Sequence, residues 1–143
     1  MSELLLISST TTDNKRTEPM ANQNVKGIKR IFNACIFSYY GFKATWQHEE
    51  AFRQEVLLFV ITTPLGLWLG ETVIEKLLLV GSMILVLLVE LLNSAVEAVV
   101  DRVGLEHHEL SGRAKDIGSA AVMLSLVWAG ITWGSILLLR GIQ

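Results

Sequence analysis

Glu90, Asn93, Glu97 and Asp101 follow directly on the apolar run Leu77-Leu78-Leu79-Val80-Gly81-Ser82-Met83-Ile84-Leu85-Val86-Leu87-Leu88-Val89. At 100° per residue these four positions fall within about 80° of one another on a helix. Three carboxylates and an amide therefore share one face of a hydrophobic rod. A carboxylate in lipid costs a few kcal/mol or more, so an ionisable residue there points to function. Hydrogen-bonding glue between helices is the competing reading. Hard cations such as Mg²⁺ take oxygen ligands of this kind.

Two further polar clusters flank this face. His48-Glu49-Glu50-Ala51-Phe52-Arg53-Gln54-Glu55 leads into an apolar stretch, and the spacing of Glu49 and Arg53 suits an i,i+4 ion pair. Gly104 to Asp116 carries Glu106, His107, His108, Arg113 and Lys115. Two adjacent histidines on a helix cannot both face one metal, so a solvated loop is the simpler reading of that pair. Arg113 and Lys115 offer positive charge to phosphate. No GxxxxGK[ST] and no GxGxxG accompany them, which excludes a P-loop and a dinucleotide fingerprint. Carboxylates for Mg²⁺, a lysine for phosphate and a deeper carboxylate as base together suit phosphoryl transfer, where catalysis is mostly positioning and charge neutralisation.

These clusters need apolar elements to hold them. Half of the 143 residues are hydrophobic (51%), and mean hydropathy is +0.45, high for a water-soluble chain of this size. Three hydrophobic stretches follow one another, and they predict membrane helices over about 50–70, 77–102 and 118–139, with a loop over 103–117 between the last two. Pro64 interrupts the first, which membrane helices tolerate. Gly118, Ser119, Ala120, Ala121, Gly130 and Gly134 in the third are small enough for close helix approach. Basic residues precede the first span (Lys26, Lys29, Arg30, Lys43, Arg53) and separate the second from the third (Arg102, Arg113, Lys115). The N-terminus and the 103–117 loop are therefore expected on the cytoplasmic side, and the C-terminus outside.

Residues 26–48 repeat Ile28, Ile31, Phe32, Cys35, Ile36 and Tyr39 at helical spacing among basic residues. That pattern predicts an amphipathic helix in the membrane interface, with packing on other protein as the alternative. Residues 1–25 are polar and poor in aromatics, and are expected to form a disordered extension, with Met20 an alternative start. A formal net charge of −2 gives no case for nucleic acid, and the single Cys35 excludes an intrachain disulfide or a cysteine-based metal site.

Glu50–Glu55 (EAFRQE), Val89–Arg102 (VELLNSAVEAVVDR) and His108–Val122 (HELSGRAKDIGSAAV) resemble the hallmark segments of the prokaryotic integral-membrane diacylglycerol kinase family, from about Met20 to the C-terminus. The resemblance implies an all-α integral membrane fold, a homotrimer of chains with three membrane helices and an N-terminal surface helix each, in the bacterial inner membrane. It implies transfer of the γ-phosphate of MgATP to diacylglycerol, giving phosphatidic acid, at sites shared between subunits. Carried over by motif position, Glu90 is the general base. Glu49 and Glu97 hold the metal, and Asn93 orders that site. Arg30, Glu97, Glu106, His107, His108, Lys115 and Asp116 contact the nucleotide, Asp116 with a catalytic part. Trp46, Arg53, Glu55, Glu90 and Ser119 lie near the lipid. Phe37 stands where the family pattern has a tyrosine, so one nucleotide contact is open.

Glu90 lies two turns from Glu97, roughly 10 Å along the axis. A base is expected at the deeper position and a metal ligand nearer the interface. Undecaprenol as acceptor, within the same family, keeps the chemistry and changes the lipid. A small channel subunit lined by Glu90 and Glu97 is a rival from another class, and leaves Arg113 and Lys115 unexplained. A non-catalytic scaffold leaves the cost of the embedded carboxylates unexplained.

Overall fold

The computed structural model describes residues 27–104 and 108–141. They form four helices and no strand: α1 (Ile28–His48), α2 (Glu50–Leu69), α3 (Val73–Val103) and α4 (Glu109–Gly141). The chain divides into two units after Phe37. In the first, Gly27 takes a left-handed backbone (φ 74°) and its carbonyl accepts from Arg30 N at 3.1 Å, which starts α1. Ile28, Ile31, Phe32 and Phe37 are all exposed there. The disorder expected for residues 1–25 concerns positions outside the described residues.

The second unit runs from Ser38 onward. In it α2, α3 and α4 are each long and apolar enough to cross a membrane. α3 is the middle member and packs against both α2 and α4. Phe52, Leu79, Met83, Val86 and Ala129 form the buried apolar contacts. Ser82, Ser94, Ser125 and Thr132 are buried with them. Each hydroxyl donates to a carbonyl three or four residues back on its own helix, at 2.7–3.0 Å. This local bonding lets small polar residues sit between apolar helices with their donors satisfied.

The α2–α3 connection is short because both ends are capped. Gly70 N donates to Gly66 O at 2.9 Å. Thr72 then forms a capping box: its hydroxyl accepts from Glu75 N at 3.1 Å, and the Glu75 carboxylate accepts from Thr72 N. The box starts α3 at Val73, ahead of the apolar run at Leu77.

The expected loop over 103–117 is largely helix. α4 begins at Glu109, so the connection narrows to Gly104–His108. His108 Nδ1 accepts from Leu110 N at 3.2 Å, satisfying one of the donors a helix start leaves open. Glu109 adds favourable charge in the first turn. A polar extension of an apolar helix has no hydropathy signature, so hydrophobicity alone reads it as loop.

Candidate active site

The polar face of α3 runs from buried to exposed. Glu90 is 3% exposed, Asn93 and Glu97 are half-buried, and Asp101 is exposed. Asn93 Nδ2 donates to Glu97 Oε1 at 3.1 Å, the contact that i,i+4 spacing provides. Ser94 Oγ donates to the Glu90 carbonyl at 2.9 Å. Ser94 carries no charge, and its one signal in the sequence is its position one turn after Glu90. Glu55 on α2 is 8% exposed. Its Oε2 is buried with no hydrogen-bond partner among the described residues.

Glu49 occupies the break between α1 and α2. Its backbone is extended (φ −108°, ψ 115°), and its side chain makes no capping bond to α2. A residue outside the helix does not keep helical spacing, so the expected Glu49–Arg53 ion pair does not form. Arg53 Nη1 instead donates to the Trp46 carbonyl at 3.0 Å. Glu49 faces a cleft of about 640 Å³ together with His48, Ser94, Glu97 and Asp101. The chain break thus brings a carboxylate from the α1–α2 junction to the same cleft as two from α3.

At the start of α4, Lys115 Nζ lies 2.6 Å from Asp101 Oδ1. Lys115 precedes the apolar part of its helix. The contact with Asp101 ties it to the rim of the carboxylate face. Asp116 and Ser119 are exposed on the same helix, as is Arg113. Trp46 is exposed on α1, and Arg30 is exposed in the first turn of that helix. His108 is exposed just before α4. Glu106 and His107 lie outside the described residues.

The donor set suits one kind of metal. Among the described residues no three His, Cys, Asp or Glu side chains converge as a metal cage. Mg²⁺ seldom needs one: it keeps several waters and takes one or two carboxylates together with substrate phosphates. Glu49 and Glu97, in one cleft with water access, fit that mode.

Residues 36–137 match the family described as Prokaryotic diacylglycerol kinase. The chain is 51% identical over 114 residues to the diacylglycerol kinase of Escherichia coli K12, covering 80% of this chain and 93% of that protein. It is 52% identical over 111 residues to the diacylglycerol kinase of Haemophilus influenzae, covering 78% and 94%. It is 41% identical over 113 residues to that of Helicobacter pylori strain 26695, covering 79% and 88%.

Proposed function

This chain belongs to the prokaryotic diacylglycerol kinase family, and we propose that it transfers the γ-phosphate of ATP to the hydroxyl of diacylglycerol, giving phosphatidic acid and ADP. The observation that carries the mechanism is a buried carboxylate, Glu90, two turns before Glu97 on α3 and beyond the lining of a cleft formed by Glu49, Glu97 and Asp101.

Glu90 takes the proton of the acceptor hydroxyl as its oxygen attacks the γ-phosphorus and the bond to the β-phosphate oxygen breaks. The lipid reaches Glu90 from the apolar side, where Glu55, Arg53, Trp46 and Ser119 line its approach. Glu49 and Glu97 would hold Mg²⁺, which would supply positive charge against the nucleotide phosphates. Asn93 fixes the Glu97 carboxylate through its 3.1 Å hydrogen bond. Lys115, with Asp116, Arg30, Glu106, His107 and His108, binds the nucleotide, and Asp116 also contributes to transfer. Lys115 exchanges its Asp101 partner for phosphate oxygen when ATP enters.

The protein is a membrane protein with three membrane-crossing helices. The basic residues before the first helix and between the second and third support an inner-membrane orientation with the site cytoplasmic. Leu57, Leu65, Val99, Ile117, Leu124 and Leu138 are exposed large apolar side chains on these helices, and they suit lipid and neighbouring subunits of a homotrimer. α1 is the surface element of each chain.

A mixed-micelle assay tests the reading. Purified protein is given radiolabelled ATP, Mg²⁺ and either diacylglycerol or undecaprenol, with Glu90→Gln as control. Labelled phosphatidic acid from wild type and none from the variant is the expected result. Label in undecaprenol alone changes the acceptor, and label in neither from folded protein overturns the kinase reading.

A further inference from the structure

We propose that Gly118 is a positioning residue for the metal-nucleotide site: having no side chain, it leaves the space in which Asn93 holds Glu97. The inference rests on the kinase reading above and adds a residue of α4 to it.

Asn93 is anchored at one end only. Its Nδ2 donates to Glu97 Oε1 at 3.1 Å, while its Oδ1 is buried with no hydrogen-bond partner among the described residues. Swapping the two ends of the amide would put oxygen against the Glu97 carboxylate and repel it, so this orientation is imposed. The amide oxygen therefore points at α4, and what it meets is the backbone of Gly118. A Cβ added at Gly118 would collide with Asn93 Oδ1 and stand 3.2 Å from Asn93 Cγ. No residue other than glycine leaves room for the amide as it stands.

The collision is with the far end of a flexible side chain. Asn93 Cβ would remain 3.8 Å away, an ordinary contact. The helices need not part: the amide swings off, and with it goes the hydrogen bond that orients Glu97. Gly118→Ala is thus a change on α4 that is felt at a carboxylate of α3, with little demand on the packing between them. Removal of the partner that orients a metal ligand commonly lowers metal affinity ~10-fold or more.

Calorimetry in detergent micelles tests this, with the magnesium complex of a non-hydrolysable ATP analogue as probe. The proteins are wild type, Gly118→Ala, Asn93→Ala and the double variant. Diacylglycerol phosphorylation by wild type is measured alongside, so a failed kinase reading shows as an inactive wild type and a failed Gly118 role does not. The expected result is a Kd raised ~10-fold by Gly118→Ala and no further change when it is added to Asn93→Ala. Near-wild-type affinity for Gly118→Ala, or losses that multiply in the double variant, would overturn the proposal. Should Gly118→Ala alone fail to fold, a folded double variant supports the collision with Asn93 and an unfolded one overturns it.

Discussion

Lys115 Nζ and Asp101 Oδ1 lie 2.6 Å apart and tie the start of α4 to the last turns of α3. The pair spans the short connection that carries Gly104 and His108. Both side chains are substantially exposed, so the contact matters through direction and not through stability. Lys115→Ala is expected to leave Tm within error of wild type and to weaken ATP-analogue binding on the order of 10-fold, the value of a charge-assisted hydrogen bond. Calorimetry and thermal unfolding on one preparation separate the two. A fall in Tm with unchanged affinity would make Lys115 a structural tether.

Glu90→Gln removes the proton acceptor and keeps its shape. The loss expected in kcat is on the order of 100-fold or more, the usual contribution of a general base. Nucleotide affinity should change little, because Glu90 is 3% exposed below the cleft and Glu49 and Glu97 remain. Activity and analogue binding measured on the same variant check both halves. A variant as active as wild type would remove Glu90 from the mechanism.

The acidic face of α3 was legible because carboxylates inside an apolar run have few innocent explanations. So were the three membrane helices, whose hydropathy is the strongest signal a sequence carries. The first turns of α4 were not, because helix formed by Ser111, Gly112, Arg113 and Lys115 has neither apolar periodicity nor hydrophobicity to mark it. The Glu49–Arg53 pair failed for a related reason. Helical spacing presumes a continuous helix, and the break at Glu49 places it instead in the cleft that Glu97 also lines. The Gly118–Asn93 approach joins residues on different helices, and no spacing rule within one helix reports it.

Glu55→Gln should stabilise the protein. The carboxylate is 8% exposed, and its Oε2 has no partner among the described residues. An amide of the same shape carries no charge and a lower desolvation cost. A gain of about 1 kcal/mol is expected, seen as a higher Tm in detergent micelles at neutral pH. A lower Tm would mean that Glu55 has a stabilising partner supplied by lipid or by a neighbouring subunit.

Gly66→Ala tests the packing that holds the three membrane helices in register. Gly66 is buried on α2, and a Cβ there would stand 3.1 Å from Leu79 Cβ and 3.4 Å from Trp133 Cη2 and Cζ2. Leu79 on α3 is fully buried, and its Cβ cannot swing away without moving the backbone. The α2 and α3 backbones must therefore part by a few tenths of an ångström, while the Trp133 ring already stands at ordinary contact distance. Trp133 Nε1 on α4 donates to the Leu79 carbonyl at 3.2 Å, so a shift of α3 at Leu79 also strains this hydrogen bond between α4 and α3. The Leu79 carbonyl keeps a second donor, Ser82 Oγ at 3.0 Å, which limits the loss on that side. Overpacking of this kind costs ~1–3 kcal/mol, and Tm should fall accordingly. Glu97 lies 18 residues further along α3, roughly 27 Å by helical rise, so analogue affinity in the folded variant should match wild type. An unchanged Tm would show that α2 can move away from Leu79 and Trp133 without penalty, and lowered affinity would show that this packing is coupled to the cleft.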